Sequence, residues 1–201
     1  HRAVLDPLAE LAKDGWKVTL VPVAGQASPD AGRIDIAALE AALRDETSLV
    51  SVMLANNEIG VIQPLEQIAG LCKSRNILLH TDAAQAVGKM PLDIKMLGID
   101  LVSFSGHKLY GPRGVGVLVT RRQRGKAPIT AQLFGGRHQR GLRSGTLNVP
   151  GIVGLARAME LANEELSTET SRLDRLRNRL FGGLQEQIEG VVLNGPPLGD
   201  P

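Results

Sequence analysis

Aromatic side chains are scarce in this 201-residue chain: one Trp, one Tyr and three Phe, 2% in all. So few stacking surfaces argue against a base-stacking nucleic-acid site or an aromatic cage. Cysteine occurs once, at Cys72, which excludes an internal disulfide and fits a reducing, cytoplasmic setting. No apolar run approaches the ~20 residues that cross a bilayer, and the first residues lack a secretory leader's pattern. Neither sign of charge dominates. With 23 Lys+Arg against 21 Asp+Glu the net charge is +2, so nothing electrostatic points to nucleic acid or an anionic membrane. No Cys/His spacing resembles a metal site, and no internal repeat or low-complexity tract occurs. The chain starts at His1 without Met and ends in the Pro/Gly-rich stretch Asn194 to Pro201, so both ends are expected to be cut from something longer. What remains is ordinary globular composition, 43% hydrophobic and 22% charged, enough for one domain or a little more.

Along the chain, Val4, Leu5, Leu8, Leu11 and Ala12 share one helical face over residues 2–13, and Gly15 closes that helix. Trp16 to Val23 alternates like a strand, and Ala24 to Gly32 reads as a surface loop. A short helix is expected over Ile36 to Arg44 and an apolar strand over Leu49 to Leu54. Pro64 opens a helix whose apolar face runs Leu65, Ile68, Ala69, Cys72. Further strands are expected at Ile77 to Leu79, Leu101 to Phe104 and Val115 to Thr120, with a short helical piece near Ile94 to Leu97. Alternating strands and helices predict an α/β fold with a mainly parallel, doubly wound sheet. After Val149 the pattern becomes helical (Ile152, Leu155, Ala156, Met159, then Leu173, Leu176, Leu180, Leu184, Ile188), as one long helix or two. The expected division is a sheet domain over 1–160 and the helical beginning of a second domain over 161–201.

Three of the expected strands end on polar residues: Asn56-Asn57-Glu58, His80 to Gln85, and Ser105 to Lys108. In a parallel sheet all three project from the carboxyl edge, where ligands of open α/β folds collect. Each is also what an ordinary turn contains; their convergence makes the case for one site. Lys108, delivered by a short turn, sits where a buried amine could form a Schiff base, and Asp82 could pair with a pyridine nitrogen, the two groups pyridoxal phosphate needs. Gln85 could donate to the ring's phenolate oxygen, and Ser105 and His107 could hold phosphate oxygens. Gly111 to Gly116 imitates a phosphate loop but precedes a strand, so a tight turn is expected there. The basic run Arg137 to Arg143 suits a phosphate or a neighbouring subunit better than nucleic acid. Cys72, on an apolar helix face, reads as a buried inert thiol.

The segments ANNEIGVIQP (55–64), HTDAAQAVGK (80–89), SGHKLYGPRGVG (105–116) and RSGTLNVP (143–150) resemble the NifS-like cysteine desulfurases. These are class V aminotransferase-type enzymes with the type I pyridoxal-phosphate fold. The opening HRAVLDPL also resembles the family stretch that starts with its ring-stacking histidine. The resemblance runs through essentially the whole chain, in order, and the family's chains are roughly twice as long. It implies pyridoxal 5'-phosphate as cofactor, Lys108 as the Schiff-base lysine and Asp82 as the pyridinium partner. It further implies that His1 stacks on the ring and moves protons, that Asn57 and Gln85 contact cofactor or amino acid, and that Ser105 and His107 hold the phosphate. Thr146 would reach the phosphate of a partner subunit, which implies a homodimer. The substrate implied is L-cysteine, converted to alanine with sulfur passed to an enzyme cysteine and on to acceptor or scaffold proteins of iron–sulfur cluster or thiolation pathways.

Two departures qualify the resemblance. Gly135-Gly136-Arg137-His138-Gln139 stands where the family carries a GGGHE-like segment, adding an arginine's bulk and charge. The family's upstream phosphate-cupping loop, sulfur-accepting cysteine and carboxylate-binding arginine have no counterpart in these residues. Cys72 cannot serve, since its helix does not lead to the strand ends. The expectation is therefore the cofactor-binding part of the enzyme, not turning over by itself. Selenocysteine lyase or another class V chemistry, and a non-catalytic scaffold keeping the fold, are the alternatives.

Overall fold

The computed structural model describes residues 1–121 and 129–199; of the terminal stretch, Asp200 and Pro201 lie outside them. The strands β1 (Leu49–Met53), β2 (Leu78–Asp82), β3 (Leu101–Ser105) and β4 (Gly116–Thr120) form one sheet in the order β1-β2-β3-β4. The first three are parallel and β4 runs antiparallel to β3. The architecture is α/β with a mainly parallel sheet.

Side chains alternate across a strand, so register sorts them into two faces. One face carries Val50, Leu79, Val102 and Phe104, all buried. They share a core with Leu65, Ile68, Ala69 and Cys72 of α3 (Leu65–Ser74), the apolar stripe the sequence predicts. Ile68 and Leu79 are fully buried, each contributing about 1.5–3 kcal/mol of transfer free energy. The opposite face carries Ser51, His80, Asp82, Ser103 and Ser105.

At the amino edge, Asp100 is buried and fully engaged. Its Oδ2 accepts from the Leu79 amide (3.0 Å) and its Oδ1 from Arg121 Nη2 and Nε (2.7 and 3.1 Å). Three strands are thereby tied at the end opposite the polar loops.

Helix α4 (Val149–Gln187) is one unbroken element of 39 residues, capped by Asn148, whose Oδ1 accepts from the Gly151 amide at 3.1 Å. Its first half lies close on the loops that follow β2 and β3. A Cβ on Gly154 would stand 2.7 Å from Pro112, one on Gly111 3.3 Å from Ala158, and one on Gly88 3.0 Å from Ala162. Small residues one turn apart admit this approach. The boundary expected at residue 160 falls inside this continuous helix.

Helices α1 (Arg2–Lys13) and α2 (Ile36–Ala42) match expectation, α2 ending two residues early where Leu43 turns extended. Three expectations need correction. Trp16 to Val23 forms no strand beyond the single bridge Val23–Ile34, because no described strand lies alongside to complete a ladder. The strand expected at Ile77–Leu79 runs instead from Leu78 to Asp82, placing His80 and Thr81 inside it. The stretch 94–98 is a hydrogen-bonded turn, not a helix, with Asp93 Oδ1 taking the Lys95 and Met96 amides.

Candidate functional site

The parallel register sets Met53 beside Asp82 and Asp82 beside Ser103, so β1, β2 and β3 end at one edge. The loops holding Asn57, Gln85 and Lys108 all leave from that edge, as the sequence predicts.

Asp82 closes β2. It is 9% exposed, its Oδ1 accepts from the Ala84 amide at 3.0 Å, and its carbonyl accepts from the Leu54 amide at 2.9 Å. Among the described residues no cationic side chain pairs with it. A buried carboxylate with one oxygen committed to a backbone amide and no internal counter-ion is suited to a cationic donor from outside.

Lys108 lies in the 3-10 turn Gly106–Leu109 that follows β3. The turn's period points Gly106 and Leu109 inward, both buried, and leaves His107 and Lys108 exposed. Gly106 has no room for a side chain, since a Cβ would stand 3.0 Å from the Pro112 carbonyl. Gly106 donates to the Val115 carbonyl and accepts from the Gly111 amide, each at 3.0 Å, and Tyr110 takes a left-handed conformation (φ 61) to close the loop. Ser105 Oγ lies 2.8 Å from His107 Nδ1, holding the pair expected to bind phosphate as one unit.

In the loop after β1, Asn56 is consumed locally: its Oδ1 accepts from the Glu58 and Ile59 amides (2.8 and 2.9 Å). Asn57 is exposed on the same turn. Gln85 accepts through Oε1 from Lys89 Nζ, which leaves its amide NH2 as the outward donor. Burial and the positive charge of Lys108 both lower the pKa of Lys89; the two amines share one neighbourhood.

Two expected residues are not joined to this group. His1 is exposed, and its Nδ1 caps α1 by accepting from the Ala3 amide at 3.1 Å. Thr146 sits exposed in the loop before α4. That loop is tied to His138, whose Nδ1 accepts from the Gly145 amide at 3.2 Å. Arg137, Gln139 and Arg140 nearby all have positive φ (55, 48 and 61).

His80, which the sequence reads only as the start of a polar strand end, takes a different place in the structure. It sits mid-strand with Nδ1 2.8 Å from Ser51 Oγ on β1 and Nε2 3.0 Å from Ser103 Oγ on β3. Burial lowers its pKa, outweighing the Asp82 charge, which pulls the other way. The signal is polar residues two places before each strand end (Ser51, His80, Ser103), visible only once the strands are extended and aligned.

A family model described as "Aminotransferase class-V" matches residues 1–199. The "Cysteine desulfurase IscS" of Salmonella arizonae is 51% identical over 195 residues, which are 97% of this chain and 46% of that protein. Among solved structures, a "NIFS-LIKE PROTEIN" superposes with a TM-score of 0.85 at 45% identity, covering 92% of this chain and 49% of that one. "SspA in complex with cysteine" superposes at 0.73 with 38% identity, covering 80% and 44%. The chain spans about half the length of these relatives.

Proposed function

Starting from a chain that belongs to the class V aminotransferase family, we propose that it is the cofactor-binding part of a pyridoxal-phosphate-dependent cysteine desulfurase. The observation that carries the reading is Asp82 and Lys108 at the ends of adjacent parallel strands, the carboxylate buried and without an internal cation, the amine exposed on a rigid turn.

The donor set suits the group. Asp82 offers a desolvated acceptor for a ring N–H cation, Ser105 and His107 offer adjoining donors for phosphate, and Gln85 presents its amide NH2. When bound, pyridoxal phosphate supplies the electron sink that lets bonds at an amino acid's α and β carbons break. The chain's part is positional. Asp82 would pair with a ring nitrogen and keep it protonated; Lys108 Nζ would be the attachment amine and would serve as the base for the proton at the substrate's Cα. Asn57, exposed beside the locally bonded Asn56, is the residue proposed to orient bound ligand.

L-cysteine is the proposed substrate, as the relatives named for desulfurase activity and for a cysteine complex suggest. Homodimerisation through the loop carrying Thr146, ring stacking by His1, transfer of sulfur to acceptor or scaffold proteins and a cytoplasmic setting belong to the same proposal, as does a second domain beginning in the distal half of α4. The test is product analysis on the full-length parent given L-cysteine or L-selenocysteine. Alanine and protein-bound sulfur from cysteine, abolished by Lys108→Ala, is the expected result. Turnover of selenocysteine alone, or of neither, would overturn the assignment.

A further inference from the structure

The face of the sheet that carries Asp82 also carries a chain of side-chain hydrogen bonds running across the strands. Ser51, His80 and Ser103 belong to β1, β2 and β3, and the imidazole spans between the two hydroxyls at 2.8 and 3.0 Å. His80 precedes Asp82 by two residues, so both project from the same side of β2 about 7 Å apart along the strand. A histidine whose ring can swing toward a carboxylate on the same strand face is a candidate cationic partner for it. Here both ring nitrogens are engaged sideways, along the hydrogen-bonding direction of the sheet, and neither is free to turn along the strand.

We propose that Ser51 and Ser103 restrain His80 from pairing with Asp82, keeping that carboxylate for an external cationic N–H donor. The inference rests on the reading that Asp82 faces a ring nitrogen, and adds the device that keeps it available. A serine hydroxyl both donates and accepts, so the pair satisfies either neutral tautomer of the ring. Burial favours that neutral ring, and among the described residues Asp82 is the charged group that acts on it. Removing both hydroxyls leaves the imidazole with two unmet ring nitrogens in a partly buried site. Its nearest remedy is to protonate and turn to Asp82, which cancels the charge the cofactor needs.

The test compares the wild-type chain with Ser51→Ala/Ser103→Ala and with His80→Asn, a neutral side chain that cannot become the competing cation. NMR titration of the cofactor-free proteins follows His80 and Asp82 directly. In the wild type His80 titrates below about 6.5. In the double serine variant it should rise above that value while Asp82 falls, and pyridoxal phosphate should bind about tenfold more weakly. His80→Asn should bind within about threefold of wild type, because no cation replaces the one avoided. A role confined to strand cohesion predicts lower melting temperatures in both variants with the Asp82 titration unmoved, and that result would overturn the proposal. If the chain alone does not bind the cofactor, the binding comparison is made on the full-length parent, whose failure to bind would sink the functional reading, while the titrations still decide whether the serines hold His80 away from Asp82.

Discussion

Single residues set the chemistry here through what surrounds them. Cys72 is 2% exposed, and burial, reinforced by the Asp100 charge, pushes its thiol up to about 11. It should resist iodoacetamide at pH 8 in the folded chain and react fully in denaturant, read by mass spectrometry. Since the unfolded thiol ionises near 8.5, this group favours the folded state below that pH and withdraws support as the pH climbs toward 11. His80 acts at the other end of the scale. Its folded pKa is depressed, so the unfolded chain takes up a proton first as the pH falls through about 6.5, and stability declines from there until the folded ring also protonates. Denaturant titrations at pH 7.5 and 5.5 should show this decline in the wild type and a smaller one in His80→Asn. Asp82, Lys108, Ser105, His107, Gln85 and Asn57 were all readable as candidates because each follows an apolar run and is of a type the chemistry uses. The set His80, Ser51 and Ser103 was not: His80 made its strand look finished early, and Ser51 and Ser103 lay inside expected strands whose register with it only the structure supplies.

At the scale of elements, the turn that bears Lys108 is held from two sides. Gly106 packs against the backbone of residues 112 and 115, and α4 presses its Gly154, Ala158 and Ala162 row onto Pro112, Gly111 and Gly88. Gly154→Val should push the helix off Pro112 and cost about 1–3 kcal/mol, measured by chemical denaturation. It should also slow the reaction of Lys108 with an aldehyde probe, since the turn loses its backing. Leu79→Ala, at a position with no exposure, should cost about 2–5 kcal/mol without moving that turn. The periodic helices and buried strands were legible for the same reason that these substitutions are costly: local pattern and core burial coincide. Trp16 to Val23 fails because a strand also needs a neighbour, and pairing is a property of distant sequence. The 94–98 segment stops after one turn because Gly98 takes a positive φ of 69, although Asp93 caps its start.

For the molecule as a whole, the sheet is organised between two ends of unlike character. The amino edge is closed by Asp100 and Arg121, and the carboxyl edge is left polar, its acid Asp82 without a cationic partner among the described residues. Arg121→Ala should leave Asp100 buried with part of its charge uncompensated and lower the melting temperature by several degrees, while cofactor binding at the far edge stays intact. The distal half of α4 exposes Leu173, Leu176, Leu180 and Leu184 in a stripe, in keeping with a chain that spans about half the length of its relatives. The most direct check of the central claim is to add pyridoxal phosphate to the purified chain, reduce with borohydride and map the modified peptide. The account predicts a visible absorption band in the wild type and one label on Lys108, both absent in Lys108→Ala and the band weakened in Asp82→Asn. A label carried by Lys89 or spread over surface lysines, with Asp82→Asn indistinguishable from wild type, would contradict it.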